Sequence, residues 1–206
     1  MVLTVSYASA SDFVAEYGEN LANGGVFVPG VTVVDMLREI DVEIVLQGTT
    51  TLKIRAKPVF VLDETSARRT GRSAGAGMEI TAKPFGFDEA LRKHLLKLGK
   101  RREVAIMIGD VPGAAKFGDA GYRLMPLEPL EALTSTLGDA LVPVIAVVVP
   151  PGMVDAYASV ARSGGKYVAV HGLTKTTNVD DVIAKIDRLL GTGSTGRLGT
   201  SEILRK

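Results

Sequence analysis

The hydrophobic period changes part-way along the chain, and this change constrains the fold more than any other feature. Residues 1 to about 85 carry short apolar stretches separated by turn residues, the pattern of a small antiparallel sheet or barrel. Leu3, Val5 and Tyr7 alternate in a first strand, and Val26-Phe27-Val28 follows a Gly24-Gly25 turn. Val42 to Leu46 and Leu52 to Val61 flank Gln47-Gly48-Thr49-Thr50, a hairpin connection. Met78 and Ile80 mark a further strand behind the glycine-rich segment 71–77. A helix closes this half: Leu91, Leu95 and Leu98 share a face, with Asp88 as N-cap and Gly99 as the stop. Its exit is basic, with Lys97, Lys100, Arg101 and Arg102, and reads as a solvated C-terminus favoured by the helix dipole.

From Glu103 onward strand and helix signals alternate. Val104 to Ile108 and Tyr122 to Met125 read as strands, and Pro129 opens a helix with Leu130, Leu133 and Leu137 on one face. Val144 to Val149 is continuously apolar, as a strand covered on both faces must be. Met153, Tyr157, Val160 and Ala161 suit a helix on that sheet, and Tyr167 to Val170 is another strand. Asn178 caps a last amphipathic helix bearing Val179, Val182, Ile183, Ile186, Leu189 and Leu190, which stops at Gly191. The expected architecture is α+β followed by α/β: an antiparallel barrel with a closing helix over 1–100, then a small, mostly parallel α/β domain over 103–191. The Gly-, Thr- and Ser-rich segment 192–206 reads as a flexible tail.

Composition narrows the chemistry. Lys+Arg number 24 against 23 Asp+Glu, a formal net charge of +1, so no global basic field favours nucleic acid as a partner. The absence of cysteine excludes disulfides, thiolate nucleophiles and Cys-based zinc sites. Two histidines, His94 and His171, leave no His-rich metal site, and neither a metal nor a cofactor is expected. The start Met-Val-Leu-Thr-Val-Ser-Tyr has no signal-peptide pattern, and the longest apolar run, Val142 to Val149, contains Pro143 and is too short to span a bilayer. A cytoplasmic protein without membrane insertion is expected.

No nucleophile–base pair emerges. Gly109-Asp110-Val111-Pro112-Gly113 follows a strand but lacks the Walker A and dinucleotide-fingerprint spacings, so it reads as an ordinary strand-end turn. His171 stands at a strand end with no acid or base identifiable nearby, and His94 flanks the apolar face of the closing helix.

The segment Asp12 to Val28, with Glu19-Asn20-Leu21-Ala22-Asn23-Gly24-Gly25 at its centre, resembles the signature of PilZ domains of the myxobacterial type. That signature runs aromatic, gap, Asp/Asn-x-Ser-x-x-Gly, then an apolar-Phe-apolar strand. The resemblance extends to Gly75-Ala76-Gly77-Met78-Glu79-Ile80 and to the closing helix, about half the chain. It implies a β-barrel receptor in which an Arg-x-x-x-Arg loop before the first strand clamps cyclic di-GMP, while Asp/Asn and Ser of the second motif add hydrogen bonds. Here positions 1–11 contain no arginine and the chain starts at the first strand. Asn20 and Gly25 match the second motif, with Gly24 beside them, but Ala22 replaces the serine. Losing charge-assisted contacts of about 1.5–3 kcal/mol each makes cyclic di-GMP binding by the usual motif unexpected. Arg68-Arg69-Thr70-Gly71-Arg72 has an Arg-x-x-x-Arg spacing in a later loop: a basic turn or, alternatively, a relocated anion clamp or a contact for an acidic partner.

The second half is similar in pattern to the last third of a response-regulator receiver, without its chemistry. Asp110 alone stands for the acidic cluster, Val149-Pro150 takes the place of the Ser/Thr, and His171-Gly172 that of the Lys. Too little chain lies between Leu127 and Val142 for a helix plus the phosphoacceptor strand. The expected function is a non-catalytic bacterial signalling adaptor acting through a protein partner or as a homodimer, with motility or cell polarity implied by the resemblance. The alternatives are a cyclic di-GMP receptor using Arg68, Arg69 and Arg72 with Asn20, and an enzyme with its site around Asp110, Pro150-Pro151-Gly152 and His171.

Overall fold

The computed structural model describes residues 2–46, 50–163 and 168–191. It contains two compact units, Met1–Leu98 and Gly99–Lys206. The expected hairpin turn at Gln47 to Thr49 and the flexible tail over 192–206 lie outside the described residues.

The first unit runs β1 (Val2–Ser6), α1 (Ala10–Glu19), β2 (Gly25–Pro29), β3 (Ile40–Leu46), β4 (Thr50–Leu62), α2 (Glu64–Thr70), β5 (Gly75–Ala82) and α3 (Phe87–Arg102), the last crossing into the second unit at Gly99. Its sheet has the order β1-β3-β4-β5-β2. Three of the pairings are antiparallel, as expected, but β1 runs parallel to β3. The cause is α1, which stands where only strands and turns were expected. It carries the chain away from β1, so β1 cannot form a hairpin with its neighbour. Ser9 builds its N-terminus: the hydroxyl accepts from the Asp12 N–H, and the Asp12 carboxylate accepts from the Ser9 N–H, a complete capping box.

β4 sets the curl of this sheet. Its residues Thr50–Ala56 pair with β3 and Arg55–Leu62 with β5, so only Arg55 and Ala56 are flanked on both sides. Two neighbours hung from successive halves of one long strand bend the sheet around its inner face. Pro58 falls beyond the β3 pairing, where the strand needs no N–H on that side. Inside the curl Val5, Val28, Ile44, Ile54 and Met78 pack against Phe13 of α1 and Phe87, Leu91 and Leu98 of α3. α3 begins one residue before Asp88, which lies in its first turn instead of capping it, and it continues through Gly99 instead of stopping there.

The second unit runs β6 (Ala105–Ile108), α4 (Ala115–Asp119), β7 (Arg123–Pro126), α5 (Leu130–Asp139), β8 (Val144–Val149), α6 (Val154–Ser163), β9 (Ala169–Gly172) and α7 (Val179–Gly191). All its strands are parallel, in the order β7-β6-β8-β9. Only α5 separates β7 from β8, as the short stretch of chain there requires. β8 is covered on both faces: Ala146 and Val148 pack towards Phe117 and the Val182, Ile183 and Ile186 stripe of α7, Val147 and Val149 towards Leu133 and Tyr157. Asn178 caps α7 by accepting from the Asp180 N–H at 3.1 Å. β9 lies two residues later than the expected Tyr167 to Val170, so His171 and Gly172 are within the strand, not past it; Tyr167 itself lies outside the described residues. No helix among the described residues is long and apolar enough to cross a membrane.

Candidate functional site

The turn from Asn20 to Gly25 is built around backbone bonds. The Asn20 carbonyl accepts from the N–H groups of Asn23 and Gly25 at 2.9 and 3.0 Å. Gly24 takes φ +80°, a left-handed conformation that a side chain would strain. The Asn20 amide donates to the Glu16 carboxylate at 2.9 Å, one helical turn back. The second oxygen of Glu16 accepts from the Phe27 N–H at 2.8 Å. β2 is an edge strand, and a side chain of α1 therefore occupies the edge that a further strand would otherwise pair. Asn20, Gly24 and Gly25 thus lock the α1–β2 connection, and Ala22 adds no polar group to it.

Glu16 is the electrostatic centre of this end. Burial raises its pKa above the ordinary carboxylate range, against the opposing bonds from Phe27 and Asn20. Burial, and secondarily the nearby Glu16, also raise the Tyr7 phenol far above its usual value. The Tyr7 hydroxyl is buried without a hydrogen-bond partner. Its ring packs edge-on against Phe13, and Phe13 in turn against the buried His94, centroids 5.3 and 4.7 Å apart. His94 is therefore part of the core packing beneath the closing helix.

The arginines read as a basic turn belong to a helix. α2 covers Arg68 and Arg69, with Asp63 as N-cap accepting from the Ser66 N–H at 2.9 Å and Gly71 closing it at φ +65°. The apolar run of β4 had masked this capping signal. Arg68, Arg69 and Arg72 are all exposed. They lie towards the opposite end of β2 from Asn20: Gly25 pairs with Glu79, while Pro29 pairs with Gly75, the first residue of β5 after the α2 connection. Four residues of extended chain separate these ends by about 13 Å, so the structure does not bring Asn20 and the arginines into one clamp.

On the outer face of the sheet, two aromatic rings lie over bare backbone. A Cβ on Gly77 would stand 2.1 Å from the Phe60 ring, and one on Gly75 2.7 Å from the Phe27 ring. A bulge between Pro58 and Phe60 turns Phe60 outward here. Towards the other end of this face lies a groove of about 450 Å³ lined in part by Val2, Asp41, Lys53, Arg55 and Lys83. Its cations are compensated: Lys53 pairs with Glu43, Arg55 with Glu39, and Lys83 with Asp88.

In the second unit the structure reveals a polar cluster that the sequence reading missed. Arg101, expected in a solvated exit, is only 1% exposed. It donates twice to Asp187 of α7, at 2.9 and 2.8 Å, and once to the Ala120 carbonyl at 2.6 Å. The Tyr122 hydroxyl donates to the same Asp187 at 2.7 Å, and the guanidinium lies 5.3 Å from the Tyr122 ring centroid. Burial opposes the guanidinium charge, but the bonds and charge of Asp187 outweigh it and raise the Arg101 pKa. The cluster is a structural clasp with every guanidinium nitrogen engaged.

At the carboxyl ends of the parallel strands, chain order reverses between β6 and β8, where ligands of such sheets commonly bind. Asp110 is exposed there. A Cβ on Gly109 would meet Leu127 at 3.0 Å and Pro150 at 3.7 Å, so apolar side chains close over the strand end. His171 is paired with Val148 in the sheet; its Nε2 is buried without a partner, and burial, then Lys185, lowers its pKa. No group of three or more His, Asp or Glu among the described residues is placed to hold a metal ion. No protein-family model matches the chain, and no curated protein matches it.

Proposed function

We propose that this chain is a non-catalytic bacterial signalling adaptor: a degenerate PilZ-type domain joined to a receiver-like α/β domain, acting in the cytoplasm through protein contacts in the control of motility or cell polarity. The observation that carries this reading is the state of the motif turn. Asn20, the polar group kept from the nucleotide-binding motif, has its amide bonded to Glu16, and Ala22 stands where the family has serine. The bond holds the Asn20 amide on Glu16, so of its side chain one N–H and the carbonyl oxygen are left for a ligand, without the serine and arginines that complete the family's site. The curled, antiparallel-rich sheet and the separate parallel sheet are consistent with the two-part layout. The receptor alternative, with Asn20 and the three arginines in one site, has no such support, because they sit at opposite ends of β2.

Affinity capture on the full chain from native bacterial lysate tests the proposal. A specific protein partner, retained at moderate salt and identified reproducibly, is the expected result. Recovery of chaperones alone would count against an adaptor.

A further inference from the structure

We propose that the outer face around Val59 and Phe60, with the neighbouring α2 arginines, is a docking surface for an acidic peptide segment carrying an apolar anchor. This rests on the adaptor reading and names the chemistry of its partner. The surface departs from the rest of its own sheet face. Along β3, β4 and β5 that face otherwise carries compensated charge, with Glu43 bonded to Lys53 at 3.0 Å and Lys57 directly opposite Glu79. At Val59 the bulge places two consecutive apolar side chains outward, and they remain 58% and 50% exposed. Phe60 and Phe27 lie side by side, centroids 6.5 Å apart at 30°. Gly75 and Gly77 leave the space that the two rings fill, so the rings rest on backbone as a broad, fixed platform. The core they could have joined is on the opposite face, already filled by Val28, Ala76 and Met78.

Charge selects the occupant. α2 connects Leu62 to Gly75, which are themselves paired, so its arginines leave the sheet at the end where the Phe27 ring covers Gly75. Arg69 and Arg72 make no ion pair among the described residues, and Arg68 has only a long exposed contact to Glu64 at 3.6 Å. An apolar platform on a sheet end from which an arginine-bearing connection departs favours a carboxylate-rich segment with one or two apolar side chains, the arginines steering it and the rings anchoring it. Two rings and a valine accommodate such an anchor but are too few to hold a whole domain face.

The test is fluorescence anisotropy of the full chain with a labelled synthetic peptide of Asp and Glu interrupted by one Leu-Phe pair. Saturable binding is expected, weakened about tenfold or more by Phe60→Ser and by Arg69→Glu/Arg72→Glu, and weakened likewise when Leu-Phe becomes Ser-Ser. Arg69 and Arg72 are exposed, so the charge-reversed variant should keep the parent circular-dichroism melt; Phe60→Ser uncovers Gly77 and is assayed well below its own melting temperature. Absence of saturable binding, equal binding by the charge-reversed variant, or equal binding of a Lys-based peptide would overturn the proposal, as would displacement of the peptide by cyclic di-GMP. Lysate capture separates this surface from the reading beneath it. A partner held equally by the parent and both variants overturns the surface and leaves the adaptor standing; specific peptide binding with no captured partner supports the surface and counts against the adaptor.

Discussion

Two arginine-bearing helix ends look alike as sequence and behave oppositely as structure. Arg68-Arg69-Thr70-Gly71-Arg72 at the end of α2 invites a binding role, whereas Lys100-Arg101-Arg102 at the end of α3 reads as solvated charge. In the structure the α2 arginines remain in water, and Arg101 is buried against Asp187, Tyr122 and the Ala120 carbonyl. The difference is partner placement. α7 brings Asp187 on the same helix as its apolar stripe, so packing that stripe delivers the carboxylate to Arg101. On α2 itself the carboxylates are Asp63, committed to the N-cap, and Glu64, exposed in its first turn. A basic run alone is therefore uninformative until the acidic residue that reaches it is known.

Substitution at the two ends should give the largest contrast in stability. Arg101→Ala leaves the largely buried Asp187 carboxylate with the Tyr122 hydroxyl but without its counter-charge, and urea unfolding is expected to show a loss of about 3–5 kcal/mol. Arg101→Met/Asp187→Leu should recover part of it, because the buried charge is gone while the Ala120 carbonyl and the Tyr122 hydroxyl still lose a partner. A loss below 1 kcal/mol in Arg101→Ala, taking ~1 kcal/mol as the surface range, would mean the pair is not buried in solution.

Glu16 provides a middle-sized test in the first unit. Glu16→Ala strands the Phe27 N–H at the edge of β2 and the Asn20 amide, with an expected cost of about 1–3 kcal/mol, while Glu16→Gln keeps an acceptor and should cost less. Proton linkage sharpens the contrast between units. The folded pKa of Glu16 is raised above the ordinary 4.5, so its contribution is full below that value and is lost as pH rises through the folded one. The folded pKa of His171 is lowered from 6.5, so its contribution is full above 6.5 and is lost as pH falls through the lowered value. Stability-versus-pH curves should therefore show Glu16→Gln flattening a decline on the alkaline side of 4.5, and His171→Leu flattening a decline on the acid side of 6.5. Reversed slopes would refute the burial of either group.

The smallest effect belongs to α2 and the residues just after it. Arg68→Ala, Arg69→Ala and Arg72→Ala should each change the unfolding free energy by less than about 0.5 kcal/mol. A larger loss in any of them would show that the exposed arginines have a structural partner.

The parallel sheet was the more legible part of the chain. Val144–Val149 is apolar on both faces because β8 is buried on both, and the α7 stripe announces itself by spacing and by the Asn178 cap. Misreadings came where short-range signals were weak or overruled. α1 is legible in Ser9 and Asp12, whose three-residue spacing is a capping box, but it directly follows the strand-like alternation of Leu3 to Tyr7, which hides the change of period. Gly99 looked like a stop, yet α3 runs on to Arg102, within reach of a carboxylate that is distant in sequence. Neither the Glu16–Phe27 bond nor the rings over Gly75 and Gly77 was legible, since both depend on strand register. Among the motif residues, the match at Asn20 and Gly25 was visible, but the bond that engages Asn20 was not.

The most direct test of the adaptor is isothermal titration of cyclic di-GMP into the full chain. The expected result is no binding in the micromolar range, with no change on adding Asn20→Ala. Micromolar binding that disappears in Arg68→Ala/Arg72→Ala would contradict it and make the chain a nucleotide receptor.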